Sequence, residues 1–331
     1  MIDLLTVTLN PALDLSTAAD RVVAGPKLRL DQPQAEPGGG GINVARATAK
    51  LGGNPRAIAA LGGMAGAQIA ALLKGSGVSL APFEVPGETR QSLAVTDRSD
   101  GGQYRLQTPG PDWTPTLEAA MAEMIVAEAG AIGEGAVVVL SGSQPPGLSD
   151  DFPQALVRRL GGQARLIIDT SGPALERLVR APEPEGAPFV LRMDQQESEG
   201  LAGHSLDDIG ASLDFAQQLI AAGVAHCVVV ARGADGSVLA TRQQRLHARP
   251  PLVPVNSKIG AGDSFTAAFA LALARGNGAP DWGAALIAGT AAAAAAVMTA
   301  GTELCRAEDA AALAPRCTLT DCAADPAPPR A

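Results

Sequence analysis

From residue 55 onward, short strand-forming runs alternate with helix-forming ones, and this rhythm limits the folds open to the chain. The runs over 55–61, 78–85, 137–140, 165–169, 189–193 and 226–231 are apolar and rich in β-branched residues. Between them, 65–74, 115–130, 151–160, 173–180 and 206–222 carry helical spacing, and two Ala-rich helices are expected over 263–275 and 282–299. A further apolar run over 2–9 opens the chain and is stopped by Asn10-Pro11. Parallel strands need a crossover of about a dozen residues, which a helix supplies. The expected fold class is therefore α/β, with βαβ units and a mostly parallel sheet covered by helices on both faces.

Two stretches break the rhythm. Residues 15–36 scatter Asp20, Arg21, Lys27, Arg29 and Asp31 among Val22, Val23, Leu28 and Leu30, a pattern for half-exposed strands. Segments 91–97 and 102–107 flank Asp100-Gly101-Gly102 and read as a hairpin. The two stretches together predict a small sheet outside the main body, and a second hairpin is expected over 236–249. Residues 315–331, rich in Pro and Ala with few large apolar residues, read as a disordered tail, so one folded domain is expected over 1–314.

Composition narrows the function. Hydrophobic residues make up 47% of the 331 but aromatic ones only 3%, so the core must be built mainly from Ala, Val, Leu and Ile. A net charge of −9 argues against nucleic-acid binding through a basic surface, and an anionic substrate would need a local basic pocket. No unbroken apolar run is long enough to cross a bilayer, and MIDLLTVTLN carries no basic leader, so a cytoplasmic protein without a membrane partner is expected. Cys227, Cys305, Cys317 and Cys322 form no CxxC pair and read as free thiols. His204, His226 and His247 have no metal-site spacing.

Two glycine-rich turns carry the chemistry. Gly260-Ala261-Gly262-Asp263 opens a helix with small residues, leaving backbone N–H groups that an anion can approach. On these residues alone Asp263 is either a helix cap or a base beside a bound phosphate. Gly38–Gly41, followed by Asn43, lets a ligand lie against the backbone at a strand-to-helix junction. It is neither a GxGxxG dinucleotide turn nor a Walker loop.

In this order, EPGGGGINVARATAKLGG and SKIGAGDSFTAAFALA resemble the two diagnostic segments of the ribokinase-like (PfkB) family of sugar kinases. The resemblance covers about residues 1–313. TLNPALD, SGSQPPG, DTSGPAL and GTELC look most like the family's minor-type bacterial 6-phosphofructokinase branch, with fructose 1-phosphate and tagatose 6-phosphate kinases nearby. It implies a Rossmann-type α/β domain with a small β-sheet lid, here about 13–36 and 88–108, through which such proteins commonly form homodimers. It also implies ATP-dependent phosphorylation of a sugar monophosphate with Mg²⁺, fructose 6-phosphate first.

Each role falls on a residue of this chain. Asp263 would be the base, with the N–H groups around Gly260, Ala261 and Gly262 stabilising the transferring phosphoryl group. Asp14 and Asn43 would hold sugar hydroxyls against Gly39 and Gly40. Lys27, Arg90 and Arg105 would hold the acceptor's phosphate, and Ser143 would add a further acceptor contact. On the nucleotide side the resemblance implies Arg192, Asp194, Glu197, Ala231, Gly233 and Lys258, with Glu197 orienting water around Mg²⁺. This side departs from the family. Arg192-Met193-Asp194 stands where Lys-Pro-Asn is usual, Lys258 where a small or β-branched residue is usual, and 299–303 lacks the Asn and Arg tied to a monovalent-cation site. A sugar-phosphate-binding protein of weak activity is the alternative from another class.

Overall fold

A computed structural model describes residues 3–276 and 279–322. In chain order the strands are β1 (Leu4–Thr8), β2 (Ala12–Ala19), β3 (Gln34–Gly38), β4 (Pro55–Leu61), β5 (Ser79–Glu84), β6 (Arg90–Asp97) and β7 (Gln103–Gln107). They continue with β8 (Ala136–Ser141), β9 (Ala164–Asp169), β10 (Val190–Asp194), β11 (Cys227–Ala231), β12 (Ser237–Ala240), β13 (Arg245–Arg249) and β14 (Thr318–Asp321). The helices are α1 (Gly40–Lys50), α2 (Gly63–Leu73), α3 (Pro115–Ile132), α4 (Phe152–Leu160), α5 (Pro173–Arg180), α6 (Gln195–Ala202), α7 (Ile209–Ala221), α8 (Ala261–Arg275), α9 (Trp282–Val297) and α10 (Ala307–Leu313).

The main sheet runs β14-β13-β12-β11-β10-β9-β8-β1-β4-β5. From β5 to β11 every pairing is parallel, and β12, β13 and β14 are added antiparallel. Strands buried on both faces need apolar residues at every position, which is why β8 reads AVVVLS and is buried throughout. Its side chains divide by parity. Val138 and Leu140 pack with Met121 and Ile125 of α3 and Phe152 and Leu156 of α4. Val137 and Val139 pack with Phe265 and Phe269 of α8 and the alanines of α9 on the other face. Alanine at these positions lets α8 and α9 lie close together, so the core closes with few aromatic rings. No helix among the described residues is long and apolar enough to cross a membrane.

The smaller sheet has the order β3-β2-β6-β7 and is built from the two segments that broke the alternation. β2 pairs parallel with β6 and antiparallel with β3, and β6 with β7 forms the expected hairpin. Leu13 anchors this sheet on Ile42 of α1 and Ile69 and Leu73 of α2. Residues 20–33 form no strand, so the expected 15–36 region is a strand, a long connection and a second strand.

Four elements differ from expectation, the first being α10, a short helix after the two Ala-rich helices expected to close the fold. The helix read as 206–222 begins at Ile209, capped by Asp208, because Leu206 is buried in the preceding loop. α6 lies where no helix was expected, started by a reciprocal cap between Asp194 and Glu197. The tail is not unstructured from 315: Thr318–Asp321 form β14 on β13. Its side chains are exposed and its pairing is carried by backbone groups, so composition gave no sign of it. Residues 323–331 of that expected tail lie outside the described residues. At the other end of the sheet β5 is an edge strand with Pro82 in its middle, a residue tolerated where one side has no neighbour.

Candidate active site

Ligands of open α/β sheets gather beyond the carboxyl ends of the strands. Here Asp169 ends β9, Asp194 ends β10, Ala231 ends β11, and Gly142-Ser143 follows β8. The N-termini of α1 and α8 meet these ends. A Cβ on Gly40, the first residue of α1, would collide with the Ser141 hydroxyl and the Gly142 nitrogen, so only glycine fits there. At the start of α8, Gly260 has φ 75°, in the left-handed region that glycine adopts without strain. Gly260 has no side chain with which to cap α8, and Asp263 does not cap it either: its carboxylate turns away and accepts a hydrogen bond from the Asn43 amide at 3.0 Å. Two residues 220 apart in sequence thus meet at the junction of α1 and α8.

Charge around Asp263 is crowded. Burial, and then the nearby Asp169 carboxylate, push its carboxyl up to about 6, opposed by Asn43 and Arg192. Arg192 Nη1 donates to Asp169 at 3.1 Å, and the Thr266 hydroxyl of α8 donates to the other carboxylate oxygen at 2.8 Å. The Arg192 guanidinium therefore lies against the first turn of α8, with Nη2 at 3.0 Å from the position a Gly262 Cβ would take. Its Nε is buried with no hydrogen-bond partner among the described residues. An arginine held at one nitrogen by a carboxylate keeps its remaining N–H groups for an anion at the helix terminus. Asp169 and Thr266 were not among the residues expected here. The one local signal was an acidic residue ending a buried strand.

Farther along, Asp194 caps α6 and Glu197 returns a bond to the Asp194 backbone at 2.8 Å. Burial, then the charges of Asp194 and Asp169, raise the Glu197 carboxyl to about 7 despite that bond. Ala231 sits beside Asp194 in the β10–β11 register, with Gly233 just beyond. Arg232 between them turns inward and donates to the Leu206 carbonyl at 2.7 Å and the Ser212 hydroxyl at 2.5 Å. Lys258 is exposed and makes no hydrogen bond or ion pair among the described residues.

The small sheet supplies the opposite wall. Asp14 on β2 and Arg90 on β6 share one face, because Ala12 pairs with Arg90 and Asp14 with Ser92. Gly38 pairs with Ala12 on the other side, and a Cβ there would overlap the Asp14 carboxylate. Burial raises the Asp14 carboxyl, and Arg90 partly offsets it. Arg90 donates to the Asn10 carbonyl at 3.2 Å, and with Ser143, Asn10 and Gly172 it lines a cleft of about 440 Å³. Arg105 shares the Asp14 face through its pairing with Ala94, but it is exposed and bonded to Gln103. Lys27 is exposed in the 20–33 connection. Within one chain, then, Arg90 and Ser143 come together, whereas Lys27 and Arg105 stay outside the cleft.

Residues 7–310 match the pfkB family carbohydrate kinase profile. This chain belongs to the PfkB family of carbohydrate kinases. It is a phosphotransferase with an alcohol group as acceptor, and its mostly parallel sheet with a separate four-stranded one is the ribokinase-like fold of that family. The kinase is 36% identical over 313 residues to the ATP-dependent 6-phosphofructokinase isozyme 2 of Mycobacterium tuberculosis, covering 92% of this chain and 87% of the relative. It is 34% identical over 271 residues to the 1-phosphofructokinase of Xanthomonas campestris, covering 81% and 83%. Among solved structures, phosphofructokinase-2 of Escherichia coli in complex with fructose-6-phosphate superposes with a TM-score of 0.83 at 33% identity, over 96% of this chain and 99% of that one.

Proposed function

We propose that this PfkB kinase transfers the γ-phosphoryl group of ATP to fructose 6-phosphate, giving fructose 1,6-bisphosphate, with Asp263 as the base. The observation that carries the reading is the 3.0 Å bond between Asn43 and Asp263 at the helix terminus where Arg192 also lies. It sets a carboxylate of raised pKa between the lid wall of Asp14 and Arg90 and the anion-binding turn of α8. Asp14 and the second N–H of Asn43 hold the sugar hydroxyls against Gly39 and Gly40. Arg90 and Ser143, joined by Arg105 and Lys27, take the acceptor's phosphate. Asp263 accepts the hydroxyl proton as that oxygen attacks the γ-phosphorus. The N–H groups around Gly260, Ala261 and Gly262, with Arg192, stabilise the charge on the transferring group as ADP leaves.

No group of three or more metal-ligating side chains occurs among the described residues. The donors present on the nucleotide side, Asp194 and Glu197, are oxygen ligands, and burial with the charges of Asp194 and Asp169 raises the Glu197 carboxyl to about 7, so a nearby cation would be favoured. That set fits Mg²⁺ carried mainly by phosphates and water, with Glu197 orienting a water. When bound, Mg²⁺ would neutralise charge on the nucleotide phosphates. Ala231, Gly233 and Lys258 border the space for the nucleotide.

A second acceptor, fructose 1-phosphate, is favoured by the identity to the Xanthomonas 1-phosphofructokinase. We infer in addition a cytoplasmic homodimer formed through the lid, supported by its exposed Leu30, Tyr104 and Leu106. A coupled assay over a panel of ketohexose phosphates and nucleotides tests the reading. Fructose 6-phosphate with ATP should give the highest kcat/KM, and Asp263→Asn should lower kcat by about 10²–10⁴-fold. Turnover within a few-fold of the parent would remove Asp263 as the base. Binding of a sugar phosphate without turnover under any donor would remove the kinase reading itself.

A further inference from the structure

Asn43 sits between two side chains that make opposite demands on it. Its Nδ2 donates to the Asp263 carboxylate at 3.0 Å, while Arg46 Nη1 donates to its Oδ1 at 3.4 Å. A guanidinium can only donate and a carboxylate can only accept, so one of the two amide orientations satisfies both and the reversed one satisfies neither. Arg46 is three residues on from Asn43 along α1, which places the two side by side on the helix surface. Arg46 is itself fixed. The same Nη1 donates to the Pro37 carbonyl at 3.1 Å, and Nη2 pairs with Glu36 of β3 at 3.2 Å. The other Glu36 oxygen accepts from the Thr302 hydroxyl, in the loop after α9. A continuous line of contacts therefore runs Thr302, Glu36, Arg46, Asn43, Asp263.

We propose that Arg46 is a positioning residue for phosphoryl transfer: anchored by Glu36 and Thr302, it sets the direction of the Asn43 amide so that an N–H and not the oxygen faces Asp263. The proposal rests on Asp263 being the base. The other charged groups acting on Asp263 are Asp169 of β9 and Asp14 of β2, which repel its charge, and Arg192 of β10, which attracts it. A reversed Asn43 would add its oxygen to the repelling side and remove the donor. The base would then hold its proton to higher pH, while a sugar hydroxyl, which donates as well as accepts, could still bond to the reversed amide and the nucleotide site would be unchanged.

The experiment compares kcat/KM for fructose 6-phosphate with MgATP across pH 5–9 in the parent, Arg46→Met and Arg46→Lys. A neutral double variant, Glu36→Gln with Arg46→Met, leaves no unpaired carboxylate and keeps the test alive if the single Met variant does not fold. The Met variants should move the acid limb up by about one pH unit, cutting the rate about fivefold near pH 6 and nearly tenfold near pH 5, and converging on the parent near pH 9. Arg46→Lys, which keeps a donor, should restore the limb to within a few tenths of a unit. The acceptor's phosphate titrates near 6 as well, but equally for every variant, so the displacement belongs to the enzyme. A loss of the same factor at every pH, or an unmoved limb, overturns the proposal. Should Asp263→Asn remain active, the base assignment falls first; should it be inactive with the limb of the Met variants unmoved, only the role of Arg46 falls.

Discussion

Asp263 is charged where the fold disfavours charge. An unfolded carboxyl titrates near 3.9, whereas burial and Asp169 push Asp263 up to about 6. Between those values the folded protein binds more protons than the unfolded one, so this residue makes stability fall as pH rises through that window. The cost is absent below about 4 and complete above about 6. Asp263→Asn should therefore melt higher than the parent at pH 8, by roughly 1–2 kcal/mol after allowance for partial solvent screening, with the two converging near pH 4. An equal difference at both pH values would count against a buried charge as the cause. Gly38 makes a second residue-scale test. A Cβ there overlaps the Asp14 carboxylate, so Gly38→Ala should raise the acceptor KM by roughly 10–100-fold and leave the ATP KM in place. Asp263 and Gly38 could be picked out from their motifs. Asp169 and Thr302 could not, because each acts through a partner that only folding brings near, and Arg46, though three residues from Asn43, gains its anchor only when β3 and the loop after α9 reach it.

At the scale of elements, α6 shows one pair of side chains serving two ends. Asp194 accepts from the Glu197 N–H at 2.8 Å and so starts the helix beside the expected nucleotide site. Asn caps a helix as well as Asp does, so Asp194→Asn should melt within about 0.5 kcal/mol of the parent, whereas Asp194→Ala should lose about 1 kcal/mol. Thermal melts of the two variants separate the cap from the charge. Legibility of the elements followed burial. Val137–Leu140 and Cys227–Ala231 were readable because strands covered on both faces must be apolar throughout. β14 was not, since none of its side chains is buried, and α6 was not, since QQESEGLA carries one buried residue, Ser198. The small sheet was legible as a departure from the helix–strand rhythm. The parallel pairing of β2 with β6 was not, because nothing in either strand encodes the direction of its neighbour.

For the whole molecule, a chain of net charge −9 carries the cations proposed for the acceptor's phosphate, Lys27, Arg90 and Arg105, on its small sheet and the 20–33 connection. The lid also bears the exposed apolar residues on which the proposed dimer rests, Leu106 being 58% exposed. Leu106→Lys should turn a dimer into a monomer in light scattering at micromolar concentration, and a parent that is already monomeric would end that proposal. The main sheet is instead guarded against open-ended association. Its two outer strands are unlike: β14 has no second neighbour among the described residues, whereas Pro82 removes a backbone donor from β5. A filament that grows by strand addition needs both margins live. With one of them interrupted by Pro82, strand addition beyond a single pairing is disfavoured along this sheet, so crowding these molecules together should favour capped pairs over fibres.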